Sequence, residues 1–116
     1  DFSTIATVLP LGRKTRYTFS SARDYDWYSL SVPRGGKLTV YTEGNSDPEI
    51  LVCYNPFSDE TLRSTLIGEN DDIDIDRRNY NARVQSNVRA GTVYIRVKPA
   101  SIISNSVDYT ICTELE

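Results

Sequence analysis

Histidine and methionine are absent from this chain of 116 residues, which holds only two cysteines and one tryptophan. Without histidine, the chain cannot build the Ser-His-Asp or Cys-His arrangements that activate a nucleophile. Cys53 and Cys112 are too far apart for the paired spacing of a zinc finger. The two thiols could form one disulfide or serve as two small buried hydrophobic groups, and both alternatives stay open.

Long apolar runs and basic stripes are also missing. No run approaches the roughly 18 apolar residues that a membrane-spanning helix needs, so no membrane span is expected. A formal net charge of −3 argues against nucleic acid as a partner, because phosphate binding needs clustered cations. With 39% hydrophobic and 25% charged residues, the composition is that of a globular domain.

One domain is expected over residues 1–114, and we expect it to be a monomer in isolation. The chain opens on Asp1 without a basic and apolar leader, which is typical of a fragment or a processed mature protein. The final Leu115-Glu116 matches a common cloning scar, so we assign these two residues no function.

The dominant hydrophobic period is two, which predicts strands. Alternating segments rich in Val, Ile, Thr and Tyr occupy 16–20, 26–32, 37–43, 49–55, 82–88, 92–98 and 106–113. Turn-forming residues separate them, and no segment has a convincing helical period. The pattern predicts an all-β, antiparallel, jelly-roll-like sandwich of about eight strands.

Alternation also assigns residues to the two faces of each strand. The predicted core rows include Tyr28, Leu30 and Val32; Leu38 and Val40; and Val93, Ile95 and Val97. Four aromatic residues fall on the opposite faces, namely Tyr25, Trp27, Tyr41 and Tyr94. They predict a flat ligand-binding platform if their strands are neighbours, since such rings stack on sugars and anchor protein interfaces. The alternative is that residues 1–12 or a parent protein cover them.

The stretch GENDDIDIDRRN, residues 68–79, concentrates five of the sixteen acidic residues. One interpretation is a calcium site, with oxygen donors from Asn70, Asp71, Asp72, Asp74 and Asp76 and with Asp47 approaching from a neighbouring turn. The spacing does not follow the EF-hand template. A second interpretation is a solvated edge that exposes the aspartates and packs Ile73 and Ile75. A carboxylate pair in acid–base catalysis is a third.

Asp24 and Asp26 flank Tyr25 just before a predicted strand. They could be a pair of calcium ligands, or their carboxylates could accept hydrogen bonds from the backbone of a turn. The spacing alone allows both.

The order of motifs along the chain resembles the bacterial pre-peptidase C-terminal domain, a family whose relatives include the collagen-binding domains of clostridial collagenases. The motifs are DYDWY (24–28), PRGG (33–36), LTVYT (38–42), GNSD (44–47), ENDD (69–72), NAR (81–83), AGTVYIRV (90–97) and DYTI (108–111). The resemblance implies a non-catalytic β-sandwich appended to secreted proteases and other exported proteins. It also implies calcium as a cofactor at positions matching Asp24 and Asp26, although this chain lacks the acidic linker that completes the site in those relatives.

The sequence therefore predicts a non-catalytic accessory module of a secreted, cell-surface or periplasmic bacterial protein, such as a protease. The expected partners are an extracellular protein, a polysaccharide or the other domains of the parent enzyme, and the expected role is localisation, secretion or substrate binding. One alternative is a carbohydrate-binding module that uses the aromatic face. The other is a purely structural spacer.

Overall fold

The computed structural model describes residues 6–19, 25–44, 48–70, 82–99 and 107–116. Within these ranges the chain forms nine strands and one short helix. The strands are β1 Thr7–Leu9, β2 Lys14–Phe19, β3 Asp26–Val32, β4 Gly36–Glu43, β5 Pro48–Cys53, β6 Leu66–Asn70, β7 Arg83–Val88, β8 Gly91–Pro99 and β9 Val107–Leu115, and the helix α1 is Asp59–Ser64. The all-β prediction is confirmed, and β1 and β6 are the strands that the sequence pattern missed.

The strands form two sheets, a five-stranded sheet in the order β1-β3-β8-β5-β6 and a four-stranded sheet in the order β2-β9-β4-β7. Every pairing is antiparallel except the short parallel contact of β1 with β3. Only β5 and β6 are neighbours both in the sheet and in chain order. Side chains that share a sheet face therefore come from distant parts of the sequence.

The core lies between the two sheets and contains the predicted apolar rows. Leu30 pairs with Val93 and Tyr28 with Ile95 across β3 and β8, and all four side chains are buried. Leu38 and Val40 are buried in the same cluster from the four-stranded sheet. Each such side chain contributes about 1.5–3 kcal/mol on leaving water. The inward assignments made from alternation are confirmed.

Gly68 lets the two sheets approach each other where β6 meets β7. A Cβ atom added at Gly68 would lie 2.8 Å from Val84 Cγ1 of the facing sheet. A side chain at this position would force Val84 to move, so the absence of one keeps this side of the sandwich closed.

The helix α1 corrects the expectation that the chain contains no convincing helix. Ser58 is its N-cap: the Thr61 N–H donates to Ser58 Oγ at 3.2 Å, and the Ser58 N–H donates to Thr61 Oγ1 at 2.8 Å. This capping box offsets the short length of the helix by satisfying orphan amides. Six residues are too few to show a helical hydrophobic period, and only Leu62 in α1 is buried.

The last two residues continue the four-stranded sheet. Leu115 pairs with Leu38, and Glu116 exchanges two backbone hydrogen bonds with Lys37, of 2.9 and 3.1 Å. Their origin as a cloning scar stays a prediction.

Candidate ligand cleft

A second, smaller hydrophobic cluster lies on the outer face of the five-stranded sheet, under α1. It consists of Trp27, Leu51, Cys53 and Leu62, and we call it the outer cluster. Trp27 is only 4% exposed, because it packs in this cluster with Leu62 of α1 and with Ala6, which lies against the cluster just before β1. The prediction that Trp27 offers an exposed ring to a ligand is wrong.

The four predicted platform aromatics do not share one surface. Tyr41 lies in β4 of the four-stranded sheet, whereas Trp27 and Tyr94 lie in β3 and β8 of the five-stranded sheet. Tyr94 packs partly buried against the outer cluster. Tyr25, with 51% of its surface exposed, is the member of the set that offers a large free ring. A flat platform of four rings is therefore excluded by the topology.

Beside the outer cluster the same sheet face carries an open cleft of about 500 Å³. Its lining comes from α1 and from strands β5, β6 and β8. We call this cleft the Arg96 cleft, and its lining includes Glu49, Leu51, Arg63, Glu69, Arg96 and Lys98. Among the described lining residues, three cations stand against two carboxylates, which leaves one positive charge in excess.

Two of the three cations in the cleft are already paired. Lys98 Nζ lies 3.2 Å from Glu49 Oε2, a pairing that the register of β5 and β8 sets up by placing these residues opposite each other. Arg63 Nη1 lies 3.6 Å from Glu69 Oε1 and joins α1 to β6. These pairs place both carboxylates of the cleft beside a cation other than Arg96.

Arg96 is the cation left over. Its cross-strand neighbours are Trp27 on β3 and Leu51 on β5, both buried, so its stem lies between two apolar side chains. Its Nε is shielded from water, and no described residue accepts a hydrogen bond from it. Among the residues described, no carboxylate forms an ion pair with its guanidinium. A half-buried charge without a partner is costly, and an anion in the cleft would offset that cost.

The ring of Tyr25 overlooks this cation. Its centroid lies 5.6 Å from Arg96 Cζ and 5.6 Å from Lys98 Nζ. At that separation the cation–π attraction is worth about 0.5–1 kcal/mol at most. The ring therefore borders the positive end of the cleft while keeping half of its surface free for a ligand.

The predicted metal ligands are only partly placed by the structure. Six of them lie outside the described residues, namely Asp24, Asp47, Asp71, Asp72, Asp74 and Asp76. Residues 71–79 of the acidic stretch all lie outside the described ranges. Asp26 and Asn70 are described. The described part of the chain contains no group of three or more acidic or cysteine side chains arranged to hold a metal ion.

Asp26 accepts a hydrogen bond from a buried tyrosine. The Tyr109 hydroxyl donates to Asp26 Oδ2 at 2.5 Å and also bonds to the Tyr28 hydroxyl. Burial, followed by the nearby Tyr28 and Asp26, raises the pKa of Tyr109, so its hydroxyl stays protonated and able to donate. Asp26 thus anchors a chain of polar groups at the edge of the core.

Asn70 is engaged elsewhere, since its Oδ1 accepts a hydrogen bond from the Arg83 N–H at 3.1 Å. Register places Asp26, Val97, Ile50 and Asn70 in one row across four strands. Three strand spacings separate the first from the last by about 14 Å. One cation holds its oxygen ligands at about 2.3–2.6 Å, so Asp26 and Asn70 cannot serve the same ion.

The two cysteines are free thiols on opposite sides of the molecule. Cys53 ends β5 in the five-stranded sheet, and Cys112 lies in β9 of the four-stranded sheet; both are buried. The disulfide alternative is thus not realised. Burial raises the pKa of Cys53 to about 11 and also raises that of Cys112. Raised pKa values favour the neutral thiol, which is the inert form.

The sequence pattern did not predict three of the cleft residues as site residues, namely Arg63, Arg96 and Lys98. Alternation in TVYIRVK already turns Arg96 away from the core row. What alternation lacks is the pairing of β8 with β3 and β5, which sets Arg96 between Trp27 and Leu51. Without that pairing, the sequence pattern predicts only an exposed surface arginine.

No helix in the described ranges has the length and apolar character needed to cross a membrane. A search of curated proteins finds no significant relative. Among solved structures, the pre-peptidase C-terminal domain of a collagenase from Bacillus anthracis superposes with a TM-score of 0.69 at 10% identity, covering 93% of each chain.

Two further structures are similar over almost their whole length. A periplasmic inhibitor of g-type lysozyme, PliG from Aeromonas hydrophila, has a TM-score of 0.70 at 18% identity and covers 96% of each chain. CorA, a surface-associated copper-binding protein from Methylomicrobium album, has a TM-score of 0.67 at 8% identity, covering 96% of this chain and 98% of that one. At these identities the likeness is one of fold.

The family comparison uses the sequence and is more specific. The model of the bacterial pre-peptidase C-terminal domain matches residues 24–99, which run from Asp24 through the Arg96 strand to the end of β8. This match covers more than half of the chain. The chain therefore belongs to the bacterial pre-peptidase C-terminal domain family.

Proposed function

We propose that this domain is a non-catalytic accessory module of an exported bacterial protein, such as a protease, and that it engages an extracellular protein. Family membership supports the accessory role, and fold relatives are named as periplasmic or surface-associated proteins. The observation that carries the binding role is the Arg96 cleft, where a cation that pairs with no described carboxylate lies beside the exposed ring of Tyr25.

A non-catalytic role fits the chemistry of the cleft. Its described lining contains no serine, threonine, cysteine or histidine that could act as a nucleophile or as its base. The two carboxylates of that described lining, Glu49 and Glu69, each form an ion pair with a cation.

Protein binding is favoured over sugar stacking. A sugar platform needs several exposed rings on one face, whereas Trp27 is buried and Tyr41 lies on the other sheet. A charged cleft bordered by one tyrosine resembles an anchor pocket of a protein interface, in which Tyr and Arg carry much of the binding energy. A purely structural spacer would leave the unpaired Arg96 without a use.

Deletion of the domain from the full-length exported protein tests this role. If the parent is a protease, we expect the shortened protein to turn over a short peptide substrate at an unchanged rate. We expect it to act more slowly on, or be retained less by, its large extracellular substrate. Loss of both activities would show that the domain belongs to the catalytic unit, and loss of neither would contradict the binding role.

Calcium stabilisation is a second proposal, and it rests on the acidic stretch 68–79 and the family resemblance. The described candidates Asp26 and Asn70 do not form a calcium site by themselves. The test is a thermal melt of the domain in EDTA and in excess calcium. At a calcium concentration of a hundred times the Kd, we expect about 2.7 kcal/mol of added stability.

The calcium test has a matched pair of double variants. Asp71→Asn with Asp72→Asn should abolish the calcium-dependent rise in Tm. Asp59→Asn with Glu60→Gln removes the same charge from α1 and should keep that rise. An equal Tm in EDTA and calcium for the unmodified domain would contradict calcium binding.

A further inference from the structure

The guanidinium of Arg96, which has no carboxylate partner among the described residues, indicates the chemistry of the ligand. We propose that the Arg96 cleft receives the carboxylate of an aspartate or glutamate side chain on the partner protein, which Arg96 binds through two N–H donors. This inference deepens the proposed function and rests on it for the identity of the partner as a protein.

The charges of the described cleft residues do not cancel. Glu49 lies at 3.2 Å from Lys98, and Glu69 lies at 3.6 Å from Arg63, so both local carboxylates have a cation beside them. The excess positive charge stays on Arg96. An anionic ligand completes this balance, whereas a cationic one would repel Arg96 and compete for the two glutamates.

Packing holds the guanidinium of Arg96 in place. Trp27 and Leu51 flank the Arg96 stem on the neighbouring strands, and the Nε is closed off from water. A guanidinium held by packing has already lost much of its rotamer entropy. Its planar fork then matches the two oxygens of a carboxylate, which is the strongest and most directional pairing available to arginine.

The surroundings of the guanidinium offer both space and an aromatic ring. The cleft is open, with about 500 Å³ of space, and its floor includes Leu51. Tyr25 stands at its positive end with half of its surface free. This combination suits a side chain with an apolar stem and an anionic head, set in a peptide that can rest on the tyrosine ring. It suits a small free anion less well, because that would leave the stem-sized space and the ring uncovered.

The test follows the Nε–H resonance of Arg96 by NMR in arginine-labelled domain, at constant ionic strength. The signal is identified by its loss in Arg96→Lys. The probes are a capped Ala-Glu-Ala peptide, the matched Ala-Gln-Ala peptide, glucuronate and inorganic phosphate. We expect saturable shifts with the glutamate peptide and binding at least about tenfold weaker for the glutamine peptide.

Variants of Arg96 distinguish hydrogen bonding by the planar guanidinium from attraction to a positive charge of any shape. Arg96→Gln, which keeps most of the stem, should lose at least about tenfold in affinity for the glutamate peptide, measured on the backbone amides of β8. Arg96→Lys keeps the charge without the fork and should also lose most of the affinity. Arg34→Gln, at an exposed arginine outside the cleft, should bind the peptide as the unmodified domain does.

Several outcomes would overturn the inference. They are equal shifts from the glutamate and glutamine peptides, equal losses in Arg96→Gln and Arg34→Gln, or tighter binding of phosphate. Tighter binding of glucuronate would assign the cleft to acidic polysaccharide instead. If the glutamate peptide binds but deletion of the domain has no effect, this inference holds and the proposed function fails. If deletion has the expected effect but the glutamate peptide does not bind, the proposed function holds and this inference fails.

Discussion

The two outer faces of the sandwich follow the same alternation but have different roles. On the five-stranded sheet, Leu62 of α1 packs with Trp27, Leu51 and Cys53 and turns an outward face into a second core. On the four-stranded sheet, outward residues such as Lys14 and Glu43 form an exposed ion pair of 2.7 Å. An outward position in a strand is therefore exposed only where no other element packs on it. On the five-stranded sheet, the part of the outer face beside the outer cluster forms the Arg96 cleft.

We expect the largest difference between the two outer faces when Trp27→Ala is compared with Tyr41→Ala. We expect Trp27→Ala to lower the free energy of unfolding by about 3–5 kcal/mol, because it empties the centre of the outer cluster. Tyr41 is half-buried on the other face and should cost about 1 kcal/mol. Urea denaturation of both variants measures the difference, and similar losses would show that the outer cluster is no true core.

A second test truncates Leu62 of α1 without changing a strand of the sheet. Leu62→Ala should cost about 2–4 kcal/mol, since Leu62 is 3% exposed and is the buried residue of α1. The neighbouring Arg63→Ala serves as control, because that side chain is exposed. We expect Leu62→Ala also to raise tryptophan fluorescence quenching by iodide, and an unchanged quenching rate would contradict the role of α1 as cover.

The thiol of the covered face should make stability depend on pH. The pKa of Cys53 is raised from 9.0 to about 11, so the fold favours the neutral thiol. This contribution is complete below about pH 9 and is lost between about pH 9 and pH 11, as the unfolded thiol ionises first. The total loss is about 2–3 kcal/mol.

The measurement for Cys53 is the difference in free energy of unfolding between the unmodified domain and Cys53→Ala as a function of pH. That difference should shrink across the window from about pH 9 to pH 11. The matched variant Cys112→Ala should leave the decline assigned to Cys53 in place. A difference that stays constant with pH would refute the buried, neutral state of Cys53.

The smallest effect is expected on the uncovered face. Lys14→Gln breaks the ion pair with Glu43, but both side chains are exposed and solvated. We expect no measurable change in the urea midpoint at physiological salt. A clear loss of stability would mean that this face is also covered, and the contrast between the two faces would fail.

The inward rows could be predicted because they depend on a local period. Val93, Ile95 and Val97 alternate within one strand, and burying them needs only a second sheet. Trp27 obeys the same period, yet it is buried in a cluster with Leu62 of α1, which comes more than thirty residues later in the chain. Arg96 was assigned to the outer face correctly, but its neighbours Trp27 and Leu51 come from two other strands. Most of the predicted calcium ligands lie outside the described residues, so that prediction stays open.

The all-β class, the inward sides of β3, β4 and β8, and the family could be predicted from the sequence, since they follow from local alternation and ordered motifs. The sequence also excluded catalysis that needs histidine. Tertiary structure alone decided that Trp27 is covered, that the cysteines stand apart and that Arg96 lacks a carboxylate among the residues described. The reason is physical: strand period sets a direction for each side chain, whereas burial and charge pairing depend on which distant segments the sheets bring together.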